Sequence, residues 1–123
     1  MNDNYKLDIA YIAGLFDAKG TIGQRKKIWK MEMSMEDRNV MELVHETLSC
    51  GTLREKKVMG KKQWCWQCVN KDSLFVAKLL WPYIVIKLHK IEQIIDHYEP
   101  DIQELNDNII DLALERERKK RGL

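Results

Sequence analysis

Residues 9–22 read Ile9-Ala10-Tyr11-Ile12-Ala13-Gly14-Leu15-Phe16-Asp17-Ala18-Lys19-Gly20-Thr21-Ile22, and the fold turns on this stretch. Small residues recur every fourth position, at Ala10, Gly14 and Ala18, so one helical face lets a second backbone approach closely. The spacing predicts a helix over Leu7–Lys19, apolar nearly all round, that Gly20 stops. A helix apolar on most faces has to be buried on most faces. In a chain of 123 residues that implies packing against its own domain and against a second copy.

Downstream the period changes. Trp29, Met31, Met33 and Met35 alternate with Lys30, Glu32 and Ser34, the pattern of a half-buried strand. Gln24-Arg25-Lys26-Lys27 is expected as the turn of a hairpin whose first strand is Thr21–Gly23. Asp37 or Asn39 can cap a helix over about Val40–Leu48, and Gly51 ends that connection. A second hairpin is expected over Thr52–Asn70 with Met59-Gly60-Lys61-Lys62 as its turn. Asp72 or Ser73 would cap a helix through Leu80. Pro82 breaks it, Ile84–Tyr98 forms the next helix, and Pro100 ends that one. Ile102, Leu105, Ile109 and Leu112 predict a last amphipathic helix, about 101–118. Its acids Asp101, Glu104, Asp107, Asp111 and Glu115 point to packing on the domain rather than to a polyanion. The fold class is α+β. With no linker or repeat, residues 1–123 read as a single domain with a core of about 7–98.

The formal net charge is only +2, so bulk charge does not announce a polyanionic partner. Its distribution does. Thr21–Asn70 holds ten Lys/Arg against six acids, while Glu92–Glu115 is acidic. A basic middle makes a charged face. Three cysteines and no long apolar run lead to the expectation of a soluble, intracellular, reduced protein with no membrane association. Cys65 and Cys68 form a C-x-x-C, but residues three apart in a strand face opposite sides, which speaks against zinc. Trp64 and Trp66 share one strand face, and packing behind the sheet is favoured over stacking on bases.

Ile12-Ala13-Gly14-Leu15-Phe16-Asp17-Ala18-Lys19-Gly20 resembles the signature of the LAGLIDADG homing endonucleases. Ala13, Gly14, Leu15, Asp17, Ala18 and Gly20 are identical to it, Ile12 and Phe16 are conservative, and Lys19 is the one change in kind. The Leu48–Leu53 run and Trp81-Pro82-Tyr83-Ile84 followed by Lys87 extend the likeness over about residues 7–98. The resemblance implies an αββαββα core whose saddle-shaped antiparallel sheet lies in the DNA major groove. Members with one motif are homodimers whose motif helices meet at the two-fold axis, here through Ala10, Ala13, Gly14, Asp17 and Ala18. Such pairs bind long, nearly palindromic double-stranded DNA, and active members hydrolyse one phosphodiester on each strand with Mg²⁺.

Site residues follow from the resemblance and the basic hairpins together. Candidate DNA contacts are Gln24, Arg25, Lys26, Lys27 and Lys30 in the first hairpin. Arg54, Lys56, Lys61, Lys62, Gln63 and Gln67 are the candidates in the second. Arg and Lys reach phosphates or guanine edges, and Gln pairs with adenine. Lys19 occupies the position of the family's metal-binding Asp or Glu, which acts with the backbone carbonyl just before it, here that of Ala18. An ammonium has no lone pair for a metal, so cleavage is expected to be lost. As a residue of the last helical turn, Lys19 suits the helix dipole by about 0.3–1 kcal/mol. Lys87 matches the family's lysine near the scissile phosphate, against the plainer reading of a solvated lysine. Glu36 is the candidate for the polar residue after the second strand, ahead of Glu32 and Ser34. Asp17 is expected to be structural. A non-cleaving intron maturase or repressor is the alternative within the same fold, and a protein-interaction module that binds no nucleic acid is the remote one.

Overall fold

The computed structural model describes residues 3–99, and the helix expected over about 101–118 lies outside them. Eight elements follow one another: α1 (Asp3–Lys19), β1 (Gly20–Arg25), β2 (Ile28–Met35), α2 (Arg38–Leu48), β3 (Thr52–Val58), β4 (Lys61–Val69), α3 (Lys71–Leu80) and α4 (Leu88–Tyr98). The expected αββαββα order is present, with α4 added to it.

The two hairpins form one antiparallel sheet in the order β1-β2-β4-β3. Their return strands meet in the middle, with Met31 opposite Cys68 and Met33 opposite Trp66. The period of two then sorts the side chains. Trp29, Met31, Met33, Trp66 and Cys68 face the helices and join Ile9, Ile12, Phe16, Val44, Leu80 and Ile94 in one core. Trp64 packs against that core and Trp66 is buried, so both tryptophans serve it. Cys65 is buried on the other face of the strand, as the spacing required.

Both turns are tighter than expected. Lys26-Lys27 (φ 52° and 68°) and Met59-Gly60 (φ 51° and 79°) are two-residue connections with both residues left-handed. That conformation matches the right-handed twist of the flanking strands. Gln24, Arg25, Lys61 and Lys62 are therefore strand residues, not turn residues.

Three helix boundaries differ from expectation. α1 begins at Asp3 because Tyr5 packs on the core and extends the helix by a turn. Asn70 (φ 58°), and neither Asp72 nor Ser73, stands at the N-cap of α3. Ser73 is buried instead, and its Oγ donates toward the carbonyls of Trp29 (3.1 Å) and Cys68 (3.3 Å). It thereby joins β2, β4 and α3. Asp37 does cap α2, accepting from Val40 N at 3.1 Å. The fourth helix starts at Leu88 rather than Ile84, because the segment before it is held by α1.

Candidate nucleic-acid interface

The face of the sheet away from the helices is open. Thr21, Gly23 and Arg25 of β1 line it with Ile28, Lys30, Glu32 and Ser34 of β2. β4 adds Lys61, Gln63, Cys65, Gln67 and Val69, and β3 adds Thr52, Arg54, Lys56 and Val58. Gly23, Ile28 and Val69 floor a depression of about 390 Å³ beside Arg25 and Lys30. Seven of the eleven expected DNA contacts thus share this face: Arg25, Lys30, Arg54, Lys56, Lys61, Gln63 and Gln67. Lys26 and Lys27 stand at its tip. Gln24 and Lys62 do not share it. Gln24 pairs with Trp29 and so alternates to the helix side, although it also borders the depression at the end of its strand, and Lys62 bonds Glu55 on the helix side at 3.2 Å. The alternation of the strands, not the residue type, decides this.

One acid sits among these bases. Glu32 bonds Lys30 at 3.0 Å and lies 4.0 Å from Lys56. The hydrogen bond from Lys30 does most to hold its carboxyl below the ordinary carboxylate range, outweighing partial burial, and the charges of Lys30, Lys56 and Arg54 add to it. Across the strand, Gln67 keeps its amide oxygen enclosed with no hydrogen-bond partner. Position parity with Lys30 was the sequence signal that put Glu32 on this face.

The C-terminal end of α1 forms the second half of the site. Gly20 follows without a linker, and a Cβ there would lie 2.4 Å from the Phe16 ring, so the position calls for glycine. Asp17 makes three contacts with the segment between α3 and α4. Its carboxylate accepts Val85 N at 2.7 Å and Lys87 N at 3.0 Å, tying the segment between α3 and α4 to the motif helix. Lys87 returns the contact by donating its Nζ to the Asp17 carbonyl at 2.7 Å. It is therefore a positioned lysine and not a solvated one. Lys19 is exposed one residue before Gly20, which pairs with Met33. Glu36 is exposed in the bend after β2.

These donors do not fit a magnesium ion. Mg²⁺ takes oxygen ligands in near-octahedral array. Position 19 offers an ammonium, and both oxygens of Asp17 are engaged by backbone N–H groups. Among the described residues no group of three His, Cys, Asp or Glu side chains could hold a metal. Burial raises the thiols of Cys50 to about 11 and of Cys68 to about 12, so neither is a thiolate near neutral pH.

The outward face of α1 is apolar, and among the described residues nothing covers it. Leu7 is 66% exposed and Tyr11 50%, and the tied segment adds Val85 (66%) and Ile86 (77%). Among the described residues, a Cβ on Gly14 would meet nothing within 4 Å. Ala10 and Asp17 are partly covered and Ala18 is exposed. Ala13 departs from expectation: it is fully buried in the chain's own core. Its helical position, one residue before Gly14, turns it inward.

No family model matches the sequence, and no curated protein does. The solved structures it is similar to are homing endonucleases. One is I-CvuI in complex with target DNA, at 18% identity and TM-score 0.65, over 95% of this chain and 82% of that one. Another is the archaeal intron-encoded I-Vdi141I complexed with DNA, at 16% identity and TM-score 0.57, over 91% and 83%. The LAGLIDADG endonuclease I-LtrWI bound to target DNA matches at 19% identity and TM-score 0.56, over 96% of this chain and 43% of that one. The chain therefore has the LAGLIDADG homing-endonuclease fold.

Proposed function

We propose that this chain works as a symmetric pair that holds a long, nearly palindromic double-stranded DNA site across the open faces of its two sheets, and that Lys19 leaves it unable to cut. The observation that carries the reading is the open face itself. Arg25, Lys30, Arg54, Lys56 and Lys61 converge there on an antiparallel ribbon, a shape that fits the major groove. The similar structures holding DNA support the same reading.

In this reading the lysines and arginines neutralise phosphates and set the register, and the inner-strand residues meet base edges. A second copy covers Leu7, Tyr11, Gly14 and Ala18 and doubles the basic face. Lys19 and Lys87 stand beside the paired helix ends, where each ammonium binds and neutralises a phosphate oxygen. Neither can hold Mg²⁺, which the resemblance implies for cutting members, so no hydrolytic step is assigned. A non-cleaving derivative, such as a maturase or repressor, shares all of this up to the nature of the nucleic acid.

The test has two stages. Sites are selected from a randomised duplex pool, and binding is titrated at several salt concentrations. The expected result is an affinity whose logarithm falls linearly with log salt, the sign of counterion release. No binding to any duplex at low salt refutes the reading. Lys19→Asp, with the selected site and Mg²⁺, is then expected to cut both strands. Binding without cutting would favour a derivative whose other cleavage residues have also been lost.

A further inference from the structure

A carboxylate at the centre of a surface built for a polyanion needs a reason. The row Thr21–Glu32–Gln67–Thr52 crosses all four strands, so Glu32 sits on an inner strand in mid-face. The lysines of the turn, Lys26 and Lys27, lie at the tip. Sheet stability gives Glu32 little reason to be there. Glu is disfavoured in strands, and exposed ion pairs contribute little. Its oxygens are ordered by Lys30 at 3.0 Å and Lys56 at 4.0 Å, which fixes an acceptor beside a donor.

That pairing has a match among base edges. In the major groove only cytosine N4 and adenine N6 donate hydrogen bonds. Adenine N6 also has an acceptor neighbour across the pair, thymine O4, but on its other side lies its own N7, which repels a carboxylate and leaves cytosine the better match. Cytosine N4 lies next to guanine O6 of the same pair, an acceptor that an ammonium takes. We infer that Glu32, oriented by Lys30, reads a C·G base pair, the carboxylate accepting from cytosine N4 while Lys30 donates to the guanine. This assignment rests on the DNA-binding reading above and adds its sequence preference.

Full-length wild-type protein and Glu32→Gln are each used to select sites from randomised duplexes, and affinities are then measured on duplexes changed at one pair. Wild type is expected to select a C·G pair at symmetric positions of the two half-sites and to prefer it by roughly 5- to 100-fold over other pairs. Glu32→Gln keeps the strand and most of the shape, and is expected to bind while losing that preference at that pair alone. Glu32→Ala should do the same, and Lys30→Met should weaken the preference at the same position. If Glu32→Gln selects the same sites with the same preference and merely binds all duplexes more tightly, the carboxylate only tethers lysines and the inference is wrong. If wild type binds no duplex, the DNA-binding reading fails and this one with it.

Discussion

Gly14→Ala separates a free helix face from one that meets a second copy. A glycine inside a helix costs about 0.8–1 kcal/mol relative to alanine. Nothing among the described residues recovers that cost, since a Cβ at Gly14 would meet none of their atoms within 4 Å. In a monomer the substitution should therefore raise stability by about that amount, a gain of several degrees in Tm. In a pair whose motif helices cross at this residue, two new methyl groups enter the contact. Overpacking of this kind costs about 1–3 kcal/mol. The helical gain is common to folded monomer and dimer, so it cancels from the association constant and the cost does not. The dimer Kd should rise by about 5- to 150-fold, and Gly14→Leu should raise it further. Sedimentation equilibrium over a range of concentrations reads this directly. A wild-type chain that is monomeric at all concentrations, or a variant with unchanged Kd and raised Tm, would show that this face is free and that the paired arrangement is wrong.

Asp17→Asn keeps one acceptor and loses the charge that two backbone donors share. With bonds of 2.7 and 3.0 Å at a partly exposed site, a loss of about 1–3 kcal/mol is expected in denaturant unfolding. Amide exchange at Val85 and Lys87 should speed up together. The buried thiols give an alkaline limit. Their folded values, about 11 for Cys50 and about 12 for Cys68, lie above the ordinary 9.0. Above pH 9 the unfolded chain therefore releases protons that the folded chain keeps. Their contribution is whole below that pH and is lost as pH rises through the folded values. Cys68→Ala should flatten the fall in stability above pH 9 in a pH series of melts.

Much of this was legible in the sequence because it is periodic. Trp29, Met31 and Met33 alternate cleanly, and the same parity carries Lys30 and Glu32 to the open face. Parity is lost where a boundary is misjudged by a residue or two. Reading four-residue turns hid the strand positions of Gln24 and Lys62, and with them the fact that both face the helices. The Lys26-Lys27 turn gives no warning, since a glycine usually marks such a conformation. Nor could local signals foresee that α4 starts late. That boundary is set by Asp17, some seventy residues away in sequence, binding the N–H groups of Val85 and Lys87. The burial of Ala13 beside an exposed Gly14 is likewise a matter of helix rotation, which small residues on neighbouring positions do not fix.

The three residues at the end of the motif helix hold separable tasks. Asp17 faces the α3–α4 connection and is used up there. Ala18 is exposed on the face that Gly14 opens. Lys19 stands at the negative end of the helix, where a cation gains about 0.3–1 kcal/mol and a carboxylate is disfavoured by a similar amount. The acid that the resemblance expects there works against its own helix and has to be kept for what it binds. Lysine removes that conflict. Lys19→Asp should therefore lower the Tm slightly, without metal or DNA, while leaving the Asp17–Lys87 contacts and the dimer intact. A variant that unfolds outright, or that no longer dimerises, would mean that position 19 also supports the fold and that the tasks are not separable.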